Sequence, residues 1–182
     1  MRPPEGNISL FDMLLVDGYN IIHSWNYLSK LAASSLEMAR DKLIARLANY
    51  QGYRHIPITI VFDAHRMPQG ETIIKTNIEV IYTAEKETAD SYIERAATAL
   101  ARSPDKLRLA VATSDADEQV IVMGKGALRL TPRELLQDVI KAEESIRRRI
   151  KIERPVKNNQ LLDNLDSATA KLLEQMRQNK DL

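Results

Sequence analysis

Three short apolar runs in this chain each stop at or just before an aspartate. Leu14–Val16 ends at Asp17, Pro57–Phe62 at Asp63, and Leu107–Thr113 at Ser114-Asp115. Runs this short leave no room for a helical period. They also lack polar alternation, which predicts strands buried on both faces. In an open α/β sheet, ligands bind at the carboxyl ends of the strands, and that is where these three acids fall. Gly18, directly after Asp17, lets the backbone turn sharply or approach a ligand closely.

The rest of the chain supplies covering helices. Ser35 caps a predicted helix over Leu36–Tyr50, with Leu36, Leu43, Leu47 and Tyr50 as its apolar stripe and Gly52 as its stop. Ile21–Leu31, which holds the only tryptophan, Trp25, reads as a connection, and His65–Thr76 as a polar loop. Ile78–Tyr82 and Ala127–Leu130 are further strands. Glu87–Arg102 is an alanine-rich helix that buries Ile93, Ala96, Ala97 and Leu100. Ala116–Met123 is a short helix closed by Gly124. Thr131-Pro132-Arg133-Glu134 is a capping box opening a helix to about Ile152. Pro155–Gln160 reads as a linker and Ser167–Gln178 as a last helix. The expected fold is α/β in three layers, around a central, mostly parallel sheet of four to five strands. Residues 1–12 form an N-terminal extension, 13–152 the domain, and 153–182 a basic linker with a helical tail.

Composition narrows the classes. No run of 18 apolar residues is present, so no transmembrane helix is expected. MRPPEGNISLFD lacks the apolar middle of a signal peptide. Without cysteine there are no disulfides or thiolate metal sites, which is compatible with a reducing cytoplasm, the expected location, without establishing it. Net charge is +1, yet Lys141–Gln160 carries seven basic residues against three acids, leaving −3 on the remainder. An acidic body with a basic arm suits an enzyme that holds a metal and touches a polyanion.

If the strands are parallel, Asp17, Asp63 and Asp115 converge. Glu87, Asp90 and Glu94 share one helix face beside them. Clustered carboxylates repel and are costly to desolvate, and a hard divalent cation offsets both effects. Such an ion activates water and stabilises a leaving oxygen, which implies phosphodiester hydrolysis. Taken singly, each acid also has an ordinary role: Asp17 as a cap, Asp63 in a turn, Asp90 and Glu94 on a solvated face, Asp117 capping the helix after Asp115. No GxxxxGK[ST] or GxGxxG loop is present, so no nucleotide cofactor is expected. Tyr19 stands where dehalogenase-type phosphatases place a second Asp.

VDGYN at Val16–Asn20, VFDAH at Val61–His65, ETADSYIE at Glu87–Glu94 and ATSDADEQ at Ala112–Gln119 resemble the YacP-like branch of the NYN domain family, within the PIN-like nuclease superfamily. The resemblance implies a three-layer PIN-like fold, a Mg²⁺ or Mn²⁺ site and single-strand endoribonuclease activity. A characterised enzyme of this kind from Gram-positive bacteria enters the ribosomal A site and cuts mRNA there. The resemblance makes Asp17 the strand-one metal ligand and Asn20 its polar partner, with Asp90 and Asp115 completing the catalytic set and Asp63 and Glu94 as supporting ligands. The residues before Met13 depart from the family pattern.

The expected partners are the ribosome and mRNA, with no membrane. Arg66, Lys75, Lys86, Lys125, Arg129 and the Arg147–Lys157 arm are the candidate phosphate contacts. Aromatic content of 5% leaves little surface for base stacking. A non-catalytic ribosome- or RNA-binding module is the alternative reading.

Overall fold

The computed structural model describes residues 10–63, 70–102 and 107–153. The chain divides into two units after Ile146. Of the second unit, only the end of one helix falls among the described residues. The expected linker at 155–160 and helix at 167–178 lie outside them.

The central sheet has six strands: β1 (Met13–Asp17), β2 (Ile58–Phe62), β3 (Glu71–Lys75), β4 (Ile78–Tyr82), β5 (Leu109–Ala112) and β6 (Leu128–Leu130). Their order is β3-β4-β2-β1-β5-β6, and every pairing is parallel except β3 with β4. The sheet is therefore α/β and mostly parallel as expected, but it has six strands rather than four to five. The additional one is β3, inside the segment read as a polar loop. Four of its five residues are exposed, so it lacks the apolar signature of a buried strand. Its two-residue turn, Thr76-Asn77, has positive φ at both positions without a glycine to announce it.

Helices cover both faces. Alternation along the strands sends Leu14, Val16, Ile58, Ile60, Phe62, Ile78 and Val80 to one face. There they meet α1 (Gly18–Ser24), α2 (Asn26–Ser34), α3 (Leu36–Arg54) and α6 (Pro132–Glu153). Leu15, Val61, Ile81, Leu109 and Val111 point to the other face, against α4 (Ala89–Ala101) and α5 (Ala116–Gly124).

The segment 21–31 is not a plain connection. It belongs to α1 and α2, broken by the extended residue Trp25. The Trp25 ring is buried, and its Nε1 donates to the Pro132 carbonyl at 2.9 Å, anchoring the start of α6. Arg46 lies over the Trp25 and Tyr27 rings and makes a two-pronged pair with Glu143 of α6, at 2.6 and 2.9 Å. Helix α3 passes Gly52 and ends at His55, whose left-handed backbone (φ 56°) closes it. At the N-terminal side, Phe11 is buried in the core, and Asp12 pairs with Arg108 at 2.9 Å.

Candidate metal centre

The topology sets the position of the site. From β1 the chain moves outward through β2 to β4, then returns to β5 on the other side of β1. The carboxyl ends of β1 and β5 thus flank a switch point, the usual crevice of an open parallel sheet. Each helix that follows a parallel strand starts at this edge. Alternation then sends Asp17, which follows Val16, to the α4/α5 side.

Three carboxylates meet there. Asp17, Asp90 and Glu118 each offer an oxygen, and these oxygens lie within 4.8 Å of one another. Asp17 and Glu118 are buried, and Asp90 is exposed. Asp17 caps α1: its Oδ1 accepts the Asn20 amide at 3.0 Å, and its Oδ2 accepts Asn20 Nδ2 at 2.5 Å. The Asn20 side-chain oxygen in turn accepts the Ser114 hydroxyl. Asn20 thus joins the end of β1 to the segment after β5. Asp90 sits in the first turn of α4, which Thr88 caps through the Ser91 amide at 3.1 Å.

Glu118 comes from the first turn of α5. The Asp115 side chain caps that helix, accepting the amides of Asp117 at 2.8 Å and Glu118 at 3.2 Å. Both Glu118 side-chain oxygens are buried without a hydrogen-bond partner of good geometry. Buried carboxylate oxygens are normally satisfied. Two orphaned ones facing two further carboxylates form a donor set that fits a hard divalent cation.

The electrostatics agree. Burial pushes the Glu118 carboxyl up to about 7, the Thr113 hydroxyl pulls the other way, and Asp17, Asp90 and Asp115 add repulsion. Asp17 is raised chiefly by burial, against the opposing hydrogen bonds from Asn20. Asp90 is raised by partial burial and by the charges of Asp17, Asp115 and Asp63. The positive ends of α4 and α5 offset part of this repulsion.

The other sequence candidates are placed differently. Asp63 Oδ1 accepts the Ala89 amide at 2.5 Å and the Thr83 hydroxyl at 3.4 Å, so it seats the start of the helix carrying Asp90. Asp115 acts on α5 as its cap, the role the sequence reading gives to Asp117. Glu94 does not join the three-carboxylate group; it faces Lys125 at 3.7 Å. Glu87 pairs with Arg95. Of the candidate RNA contacts, Lys75 pairs with Asp41 at 2.5 Å, Arg129 reaches Gln119 at 3.4 Å, and Lys86 is exposed. Arg66 lies outside the described residues.

Glu118 is the residue that sequence reasoning passes over, although it lies within ATSDADEQ. Asp115-x-x-Glu118 has the spacing of a cap and its third-position partner, which would turn Glu118 back onto the cap amide. Here the Thr113 hydroxyl takes that amide at 3.0 Å, which leaves Glu118 free to face the site.

Comparison with known proteins gives the family and the fold. The family profile "YacP-like NYN domain" matches residues 14–178. YacP of Bacillus subtilis (strain 168) is 47% identical over 142 residues, covering 77% of this chain and 82% of that protein. A crystal structure of Rae1 (YacP) from Bacillus subtilis superposes with a TM-score of 0.68 at 41% identity, covering 92% of this chain and 95% of that one. A crystal structure of a point mutant of the same Bacillus protein gives 0.66 at 40% identity, covering 91% and 99%.

Proposed function

The chain belongs to the YacP-like NYN domain family, whose fold is that of PIN-like nucleases, and from that premise we propose that it is a divalent-metal-dependent endoribonuclease that associates with the ribosome and cuts mRNA in the A site. The observation that carries this reading is the Asp17–Asp90–Glu118 group, with its two orphaned buried oxygens at the switch point of the sheet. Mg²⁺ or Mn²⁺ suits an all-oxygen donor set. Bound there, such an ion would activate a water and neutralise charge on the phosphate.

The chain's own residues do the positioning. Asn20 fixes the rotamer of Asp17, leaving each of its oxygens a further lone pair. Asp115 fixes the first turn of α5 and so the backbone of Glu118. Asp63 does the same for α4 and Asp90. The exposure of Asp90 leaves one side of the group open to a polymer strand. The ribosomal part of the proposal is supported by the motif resemblance and by the basic excess over Lys141–Gln160. Cytoplasmic location follows from that partner. No helix among the described residues is long and apolar enough to cross a membrane.

Primer extension on an mRNA under translation by purified ribosomes tests the proposal, using wild type, Asp17→Asn and Glu118→Gln, with Mg²⁺ or EDTA and a naked-RNA control. New 5′ ends that need ribosomes, metal and both acids are expected. Ribosome binding without new ends would replace the enzyme with a binding module.

A further inference from the structure

On the opposite face of the same sheet edge, an arginine is held without an ion-pair partner among the described residues. Arg40 lies just past the first turn of α3, whose N-terminus reaches the carboxyl edge because α3 leads into the parallel strand β2. Its Nη1 donates to the Tyr19 hydroxyl at 3.0 Å, and its guanidinium carbon sits 5.9 Å from the centroid of the Tyr82 ring. Tyr82 stacks on Phe62 at 5.7 Å, and Phe62 meets Tyr19 edge-on at 5.1 Å. Two tyrosines thus hold the guanidinium, and Phe62 beneath them is fully buried.

What distinguishes Arg40 is that aromatic groups, rather than a carboxylate, hold it in place. Arg46, Lys75, Arg95, Arg108 and Lys125 each pair with a carboxylate. Arg40 makes no such pair among the described residues, and Tyr19 uses only one of its donors. Glu37, on the same helix, adds only a longer-range attraction. A half-buried guanidinium held by a phenol and a ring face keeps its charge available and its fork pre-oriented, which suits an oxyanion with two acceptor oxygens. Tyr19 lies two residues after Asp17, so this cation and the acidic group share the carboxyl edge of the sheet from its two faces. From β4, which carries Tyr82, to β1, which carries Asp17, is about 10 Å, two strand spacings. That is the scale of a flanking nucleotide. A strand approaching three carboxylates is repelled by them and needs a fixed cation close by.

We propose that Arg40 binds a backbone phosphate of single-stranded RNA beside the cleavage site, with Tyr19 and Tyr82 as positioning residues. The identity of the polyanion rests on the nuclease reading, while the cation and its geometry do not.

The test is fluorescence anisotropy of a labelled single-stranded oligoribonucleotide across a salt series, with Ca²⁺ in place of Mg²⁺ and melting curves to check folding. Arg40→Gln is expected to weaken binding several-fold and to reduce the slope of log K against log salt by about 0.7, the value for one single-strand phosphate contact. Lys42→Gln, an equal charge loss at an exposed position on the same helix, is expected to leave the slope unchanged. Tyr19→Phe should weaken binding with the slope intact, as befits a positioning residue. Arg40→Lys keeps charge and packing but loses the fork; it should preserve the slope at lower affinity, and it serves if the glutamine variant does not fold. An unchanged slope in Arg40→Gln, an equal loss in Lys42→Gln, or no binding by wild type overturns the proposal. Cleavage is scored separately, on mRNA under translation by ribosomes with Mg²⁺: Arg40-dependent binding without cutting there would sink the nuclease reading and leave this contact standing.

Discussion

Asn20 grips both oxygens of Asp17, through its backbone amide at 3.0 Å and its side-chain nitrogen at 2.5 Å. The same contact lets the acid cap α1 and aims that acid. Asn20→Ala removes the side-chain hold and the link to Ser114 while leaving the backbone bond. Outer partners of metal ligands typically contribute 10–100-fold to metal affinity or activity. We expect a loss of about that size in Mn²⁺ affinity, read as a rightward shift of the metal titration of RNA cleavage. A titration that superposes on wild type would remove Asn20 from the site.

The metal-free protein should become less stable as pH rises. The Glu118 carboxyl titrates near 7 in the fold against an ordinary 4.5. Between those values the folded chain keeps a proton that the unfolded chain has released. Stability from this group is therefore full below about 4.5 and is lost as pH climbs through 7. The loss is about 3 kcal/mol, and Asp17 is shifted in the same direction. Urea unfolding in EDTA at pH 5 and pH 7.5 measures it. Glu118→Gln, which carries no charge at either pH, should flatten the difference. Added Mn²⁺ should stabilise wild type most at the higher pH, where the carboxylates are ionised, and should do little for Glu118→Gln.

How much of this is legible in the residues depends on where the signal is local. Asp17 and Asp115 announce themselves because an apolar strand ends just before them. Asp90 stands out as part of an acidic helix face, but spacing does not separate it from Glu94; only packing turns one to the site and the other to Lys125. Glu118 is hidden by a capping pattern that a hydroxyl two residues before the cap pre-empts. Strand β3 is hidden because an exposed edge strand needs no apolar pattern, and Thr76-Asn77 lacks the glycine that marks such a turn. Arg40 carries no motif at all. Its significance lies in the Tyr19 hydroxyl and Tyr82 ring that hold it at the sheet edge, which is a property of the fold.

Gly18 tests the packing beneath the site. A Cβ built there would fall 2.2 Å from the Phe62 ring. That ring is fully buried and held between Tyr19 and Tyr82, so it has little room to yield. Overpacking of this kind costs about 1–3 kcal/mol, and Gly18→Ala should lower stability by that amount. Phe62→Leu on its own leaves space behind, and the double variant should recover part of both losses. Chemical unfolding of the four proteins gives the coupling directly. Strictly additive losses would mean that the clash is relieved elsewhere.

Asp115 separates a structural role from an electrostatic one. Its side chain caps α5, and its charge also raises the carboxyls of Asp90 and Glu118. Asparagine caps about as well as aspartate, whereas alanine costs about 1 kcal/mol. Asp115→Asn should therefore melt like wild type, and Asp115→Ala should melt lower. Removing the charge weakens the field that draws a cation to the crevice, so Asp115→Asn is also expected to bind Mn²⁺ about tenfold more weakly. Paired melting curves and metal titrations on the two variants distinguish the roles. An asparagine variant with wild-type metal affinity would confine Asp115 to its cap, and the three-carboxylate group would then hold the ion without it.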